Sequence, residues 1–333
     1  MNRGPQALLL EELSSLGGAG LEITRLDTMT NELPPAGPGV VRVGLDSKGG
    51  CPRLQVDGFD ILLTVAADAP APWVCLPAGA IDAALAHLND TVSRQPSAAA
   101  AVAQVLRATL SLPFAQAQML ESMSYSMLLA SESFHAWRAS VPIRQPTLDE
   151  GPRVLMSREE GVLRIRLNRA GVCNAVDSRM RDSLVEALQF AIDDPDAEPV
   201  LLSGEGSAFC AGGDLNEFGK AEDPAVAHLI RLLRAPACLI YRIRERVCVR
   251  VQGACIGAGI EMAAAAGRVV ALPDVFFRLP EVAMGLIPGA GGTASIPRRI
   301  GRHRTCFMAL TGWDVDAATA LSWGLIDALH ESA

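Results

Sequence analysis

Two glutamates, Glu261 and Glu281, each lie beside a glycine-rich stretch of this 333-residue chain. Two carboxyl groups in different protonation states can share one water, one taking its proton and the other delivering a proton to carbon. The first glycine-rich turn reads Ser203-Gly-Glu-Gly-Ser-Ala-Phe-Cys-Ala-Gly-Gly-Asp214, and the second Gln252-Gly-Ala-Cys-Ile-Gly-Ala-Gly-Ile-Glu-Met262. Glycines let the chain turn tightly and leave backbone N–H groups open to a ligand. At the start of a helix such N–H groups carry partial positive charge, which favours an oxyanion developing on a carbonyl. The expected chemistry is therefore acid/base work next to an activated acyl group. Each residue also has a plainer reading. Glu261 could complement a helix dipole and Glu281 could be a solvated loop acid; Asp214 reads as an N-cap or structural acceptor, and Gly289 to Gly292 as the shaping of a helix start.

These residues need a scaffold, and the flanking pattern supplies one. The apolar run Val200 to Leu202 and the alternating Val247-Cys-Val-Arg-Val251 read as strands leading into the two turns. The second turn runs into the helix-favouring Ala263 to Ala266. Upstream, Gly161-Val-Leu-Arg-Ile-Arg-Leu167 alternates as a half-buried strand should. Asp177 or Ser178 can cap a following helix whose Met180, Leu184, Leu188 and Ile192 share a face. Strand and helix periods alternate up to Ile326, which predicts an α/β fold.

The ordered series of Leu167-Asn-Arg169 with Asn174-Ala175, Phe209-Cys-Ala-Gly-Gly-Asp214, Gly257 to Glu261, Pro280-Glu281 and Pro288 to Thr293 resembles the crotonase, or enoyl-CoA hydratase/isomerase, superfamily over about residues 155 to 330. The resemblance implies a ββα spiral and an oxyanion hole formed by the amides of Gly213 and Ala258. It implies that Glu261 orients and deprotonates water while Glu281 donates the proton. It further implies substrate contacts at Asn174, Ala175, Ala211, Gly257 and Gly289, no cofactor, and an acyl-CoA substrate. Retention of both glutamates points to hydration or the reverse dehydration. Isomerase, hydrolase and decarboxylase activities, and a non-catalytic partner of an active homologue, are the alternatives. A trimer or hexamer is implied for the assembly. Two departures qualify the CoA expectation: Asn216 stands where the family often has lysine, and the sequence stops at Ala333, soon after Gly324-Leu-Ile-Asp327. An acyl carrier protein bearing the same pantetheine thioester is the alternative substrate.

Residues 1 to 150 read as a separate α+β, mostly helical extension before a catalytic unit at 151 to 333. A helix is expected at 6 to 16, a strand at Val40 to Val43, further strands within Leu54 to Ala66, and helices over 79 to 138 broken near Pro96 and Pro113. Pro142 to Pro152 reads as the linker. Met119, Met123, Met127 and Leu128 fall roughly on one helical face, which predicts core packing. The stretch Glu121 to Ala130, with Phe134 and Trp137, resembles the N-terminal extension of the cofactor-free 3,5-dihydroxyphenylacetyl-CoA dioxygenases. That resemblance implies a specialised biosynthetic setting and a substrate-facing Arg231 or Arg234, with oxygenation of an arylacetyl thioester as an alternative activity. Those oxygenases carry glutamine where this chain has Glu261.

Half the residues are apolar, enough for a sizeable core, and the formal charge of −8 argues against a nucleic-acid partner. Eight cysteines without a CxxC pair and five scattered histidines predict a reduced, cytoplasmic, metal-free protein. Cys210 and Cys255 flank the turns and read as small buried hydrophobes rather than nucleophiles. No apolar run long enough for a membrane span, and no leader pattern, is expected.

Overall fold

Short apolar segments bounded by turns build the first part of the chain. In the computed structural model, which describes residues 20–28, 37–52, 56–142, 151–194, 196, 198–221 and 223–330, four strands form a sheet in sequence order: β1 (Gly20–Arg25), β2 (Val40–Asp46), β3 (Ile61–Thr64) and β4 (Val74–Cys75). All its pairings are parallel. β2 and β3 are buried along their whole length, as expected of parallel strands covered on both faces. Helices α1 (Ala78–Arg94), α2 (Pro96–Thr109), α3 (Phe114–Leu129) and α4 (Glu132–Ser140) follow. Proline opens α2 at its first turn, and Pro113 precedes α3, so the two expected breaks are helix starts. The expected helix at 6 to 16 and most of the linker lie outside the described residues.

The second part alternates strands and helices. Its main sheet uses β5 (Val154–Glu159), β6 (Val162–Leu167), β7 (Val200–Gly204), β8 (Val247–Val251), β10 (Arg268–Ala271) and β13 (Ala328–Leu329), in the order β13-β10-β8-β7-β6-β5. Only the edge pair β5 and β6 is antiparallel within it. A smaller sheet joins β9 (Ala254–Ile256), β11 (Phe276–Arg278) and β12 (Val315–Asp316). The helices are α5 (Ser178–Asp193), α6 (Pro224–Leu233), α7 (Pro236–Arg242), α8 (Ala258–Ala263), α9 (Gly292–Ile300), α10 (Arg302–Thr311) and α11 (Ala317–Trp323). Asp177 caps α5 by accepting from Met180 N at 2.7 Å, and Met180, Leu184 and Leu188 are fully buried beneath it.

The two parts share one apolar core that runs from Val41 and Ile61 through Leu106 and Phe134 to Val249 and Phe277. Helix α10 is one tie between them, with all ten of its residues buried. Its polar side chains reach the first sheet's loops: Arg302 Nη1 donates to Phe59 O at 2.7 Å, and Arg304 Nε to Trp73 O at 2.9 Å. His303 Nε2 meets Val56 O at 3.0 Å, and burial pushes that imidazole down to about 4, keeping it neutral.

The methionine stripe is a correction. Met119, Met123 and Met127 are 41%, 54% and 62% exposed, while Gln118, Glu121, Ser122 and Ser126 on the same helix are buried. Leu128 is buried as expected, with Phe114 and Ala117, but α3 also buries these polar residues in place of the three methionines because they have partners. Ser126 Oγ donates to Pro224 O at 2.8 Å, Cys238 Sγ donates to Gln118 Oε1 at 2.7 Å, and Arg231 Nε donates to Ser122 Oγ at 3.0 Å. A buried polar group with good partners costs little, whereas exposed methionine is tolerated.

Asp60, 2% exposed, accepts from Arg107 Nε at 2.8 Å, Arg107 Nη2 at 2.7 Å and Arg42 N at 2.9 Å. It fixes α2 against β2. Removing one partner of a buried ion pair leaves the other uncompensated. Asp60→Ala is therefore expected to destabilise the protein by about 3 kcal/mol, measured as a lowered urea midpoint with an unchanged slope.

Candidate active site

The geometry starts where β7 ends. Phe209 N donates to Gln252 O at 2.8 Å, Cys210 N to Ala254 O at 3.1 Å and Ile256 N to Cys210 O at 2.9 Å. These bonds lay the two glycine-rich turns side by side. Gly257 sits at φ +49°, and a Cβ there would stand 3.7 Å from Gly212 Cα and 2.5 Å from Glu281 Oε1. The backbone angle calls for glycine at that point, and the missing side chain leaves room for the Glu281 carboxyl.

Val176 N donates to Gly212 O at 2.8 Å and Asp214 N to Val176 O at 2.9 Å, which leaves the intervening Gly213 amide outside this ladder. Ala258 opens α8, where the first N–H groups have no intrahelical acceptor. Among the described residues, neither the Gly213 nor the Ala258 amide has a hydrogen-bond acceptor. Both residues line a cavity of about 310 Å³ together with Glu261 and Glu281. Two free donors and two carboxyl groups thus face one space.

Neither glutamate is a surface acid: Glu261 is 2% and Glu281 7% exposed. Glu261 Oε2 accepts from Ala290 N at 2.6 Å and Gly292 N at 2.8 Å. Glycine at 292 is again obligatory, since a Cβ there would stand 2.6 Å from Glu261 Cγ. Burial pushes the Glu261 carboxyl up to about 7, against the opposing pull of those amide bonds. Burial first, and then repulsion from Glu261, hold Glu281 well above the ordinary carboxyl range. Its Oε2 is buried and has no partner among the described residues. The environment therefore drives Glu281 toward the neutral acid and lets Glu261 ionise near neutrality.

Of the other residues singled out in the sequence, Gly289, Arg231 and Arg234 line the same cavity. Gly289 packs against the Tyr125 ring, and Arg231 lies 4.7 Å from the centre of that ring. Asn174, Ala175, Ala211 and Gly257 are not among the lining residues. Asn174 is fully buried and spends its amide on the backbone, accepting from Arg169 N at 2.8 Å and donating to Glu205 O and Ala208 O, each at 2.9 Å. Ala175 O accepts from Arg169 Nη1 at 2.9 Å, and Ala211 N donates to Cys173 O at 2.8 Å. Asp214 is a structural acceptor, bound by Arg169 Nη1 at 2.7 Å. Cys210 and Cys255 are fully buried, and burial pushes the Cys210 thiol up to about 12, so neither is a ready thiolate. Among the described residues no three ligand-type side chains cluster to hold a metal, and no helix is long and apolar enough to cross a membrane.

The family model described as enoyl-CoA hydratase/isomerase matches residues 157–332. The chain belongs to the enoyl-CoA hydratase/isomerase family. Its similarity to the Escherichia coli 2,3-dehydroadipyl-CoA hydratase is 32% identity over 179 residues, covering 54% of this chain and 69% of that one. The matched part spans about two thirds of the length of such relatives, 66% in another case. Among solved structures, enoyl-CoA hydratase from Thermoplasma volcanium superposes with a TM-score of 0.51 at 28% identity, covering 54% of this chain and 73% of that one. The Mycobacterium smegmatis enoyl-CoA hydratase gives 0.50 at 32% identity, with 54% and 71% covered. The crotonase-type fold is thus shared, and a helical region precedes it here.

Sequence reasoning missed Glu121 and Tyr125 as parts of this site. Tyr125 lines the cavity from α3, and Glu121 lies fully buried behind Glu261. The available signal was a glutamate in a helical stretch of methionine, serine and leucine, a position where burial demands a partner.

A carboxyl raised above its unfolded value near 4.5 binds its proton more tightly in the folded chain, so its stabilising contribution is complete below that pH. The contribution is lost progressively as pH rises above it. Relative to wild type, Glu281→Gln should therefore gain thermal stability steadily between about pH 5 and pH 8. A difference in Tm that stays constant over this range would contradict the raised carboxyl.

Proposed function

We propose that this protein hydrates an α,β-unsaturated acyl thioester, or dehydrates the β-hydroxy product in reverse. The observation that carries this reading is the convergence of two free amides and two buried, differently tuned carboxyl groups on one cavity. The amides of Gly213 and Ala258 would receive the thioester oxygen, where negative charge grows as water attacks the β-carbon. Glu261, ionised from about neutrality upward, would take a proton from that water. Glu281, kept neutral by burial, would deliver its proton to the α-carbon. The C=C π bond is lost, a C–O bond forms at the β-carbon and a C–H bond at the α-carbon. No redox or metal step is needed for this balance.

Coenzyme A and an acyl carrier protein present the same pantetheine thioester, and either would satisfy the cavity. Arg231 and Arg234, both at its wall, would contact the substrate. A homo-oligomer, a cytoplasmic setting and a role in specialised biosynthesis accompany this proposal by family resemblance. The Tyr125 ring in the cavity wall could pack against an aromatic acyl group, and so keeps cofactor-free oxygenation of an arylacetyl thioester as a second reading.

A panel of enoyl and arylacetyl thioesters, on CoA and on carrier protein, separates these readings when the enoyl chromophore and dissolved oxygen are followed together. Hydration predicts loss of the chromophore without oxygen uptake. Glu281→Gln and Glu261→Gln should each lower kcat by roughly 10²- to 10⁴-fold, and kcat/KM should rise with pH through about 7 as Glu261 ionises. Oxygen uptake on arylacetyl thioesters, or complete inertness, would contradict hydration.

A further inference from the structure

Helix α3 lies outside the residues matched by the family model, yet it sends one carboxyl group to the back of the catalytic cavity. Glu121 is 0% exposed. Its Oε1 accepts from Gly291 N at 2.7 Å, and its Oε2 accepts from Thr293 N at 2.7 Å and Thr293 Oγ1 at 2.8 Å. Glu261 Oε2 takes the alternate amides of the same segment, Ala290 N and Gly292 N. Four successive N–H groups are therefore shared between two carboxyls from distant parts of the chain.

The segment has little freedom of its own beyond these bonds. Gly291 adopts φ +107°, and a Cβ there would stand 2.6 Å from Ala237 Cβ. Thr109 Oγ1 donates to Thr293 O at 2.7 Å, and Ser295 Oγ donates to Glu261 O at 2.7 Å. In front of the segment, the buried and unpartnered Glu281 Oε2 marks the cavity as a place where a ligand group must arrive. Small shifts of Ala290 and Gly292 would move Glu261 relative to that group.

We propose that Glu121 is a positioning residue for Glu261: by clamping Gly291 and Thr293 it sets the two amides that hold the Glu261 carboxylate, and so makes the N-terminal helices part of the reaction site. The inference rests on reading Glu261 as the base. The groups facing the pair are Glu281 across the cavity, Tyr125 on α3, Arg231 on α6, Cys238 on α7 and Thr293 on α9. Burial, and then the Glu261 charge, push Glu121 up to about 8, so the pair is linked electrically as well as through the backbone.

The test uses the full chain carrying Glu121→Gln, with Thr293→Val as a milder variant that removes one of the three bonds. On an enoyl thioester turned over by the wild type, folded Glu121→Gln should lose roughly 10- to 100-fold in kcat with KM changed less than about 2-fold. Its acid limb of kcat/KM should move to higher pH, because amides that slip away from the Glu261 carboxylate no longer favour its ionised form. Thr293→Val should lower kcat less, again with KM held. Unchanged kcat and pH profile in folded Glu121→Gln would overturn the proposal. If that variant does not fold, an unchanged kcat in Thr293→Val would overturn it. If the wild type hydrates no thioester, the carboxyl titration of Glu261 and the amide resonances of Ala290 and Gly292, followed by NMR in wild type and variant, decide the point separately. Shifts in both support the clamp, and identical spectra overturn it, whatever the substrate proves to be.

Discussion

Burying carboxyl groups without a facing ion pair is the constraint on which this site depends. Glu121, Glu261 and Glu281 are each at least nine-tenths buried. An isolated buried carboxylate is costly, and proteins relieve the cost by protonation or by dense hydrogen bonding. Both routes are used here. Glu121 and Glu261 are met by four backbone N–H groups, although burial still pushes Glu121 up to about 8, and Glu281, with an unpartnered oxygen, is driven neutral. The proposed division of acid and base roles would follow from that difference in environment rather than from any difference in residue type.

The glycines follow from the same constraint. Four successive amides can be turned toward two carboxyls only if the segment lacks side chains that would strike Tyr125, Ala237 or Glu261, which is what a Cβ at 289, 291 or 292 would do. The two glycine-rich turns obey a related rule, since Gly257 passes close to both Gly212 and the Glu281 carboxyl. The scaffold around them is well packed: strands β6, β7 and β8 turn their alternate residues into the core, and helix α10 is sheathed by the first sheet and its helices. Such support suits donors that must await a charge without reorganising.

The turns, both cavity-lining glutamates and the alternation of strands with helices were legible in the sequence because each is encoded locally. A strand followed by glycines and a helix start is visible within a dozen residues, and Gly213, Ala258, Glu261 and Glu281 fall inside such units. What was illegible depended on distant partners. Apolar periodicity assigned Met119, Met123 and Met127 to the core, whereas α3 buries Gln118, Glu121 and Ser122 because residues from α6, α7 and α9 satisfy them. The substrate contacts implied for Asn174, Ala175 and Ala211 came from motif position alone. In the fold Asn174 is a strut whose polar atoms are already engaged with the backbone. The burial of α10 could not be foreseen either, since its arginines and histidine find carbonyls more than two hundred residues away.

The central claim is that the Gly213 and Ala258 amides polarise a thioester carbonyl held against the glutamate pair. The most direct measurement is the vibrational spectrum of the carbonyl in a bound, slowly reacting enoyl thioester labelled with ¹³C at C1. The account predicts a clear shift of the carbonyl stretch to lower frequency on binding, retained in Glu281→Gln, where the donors are intact. A bound thioester whose carbonyl stretch stays at its solution value would contradict it.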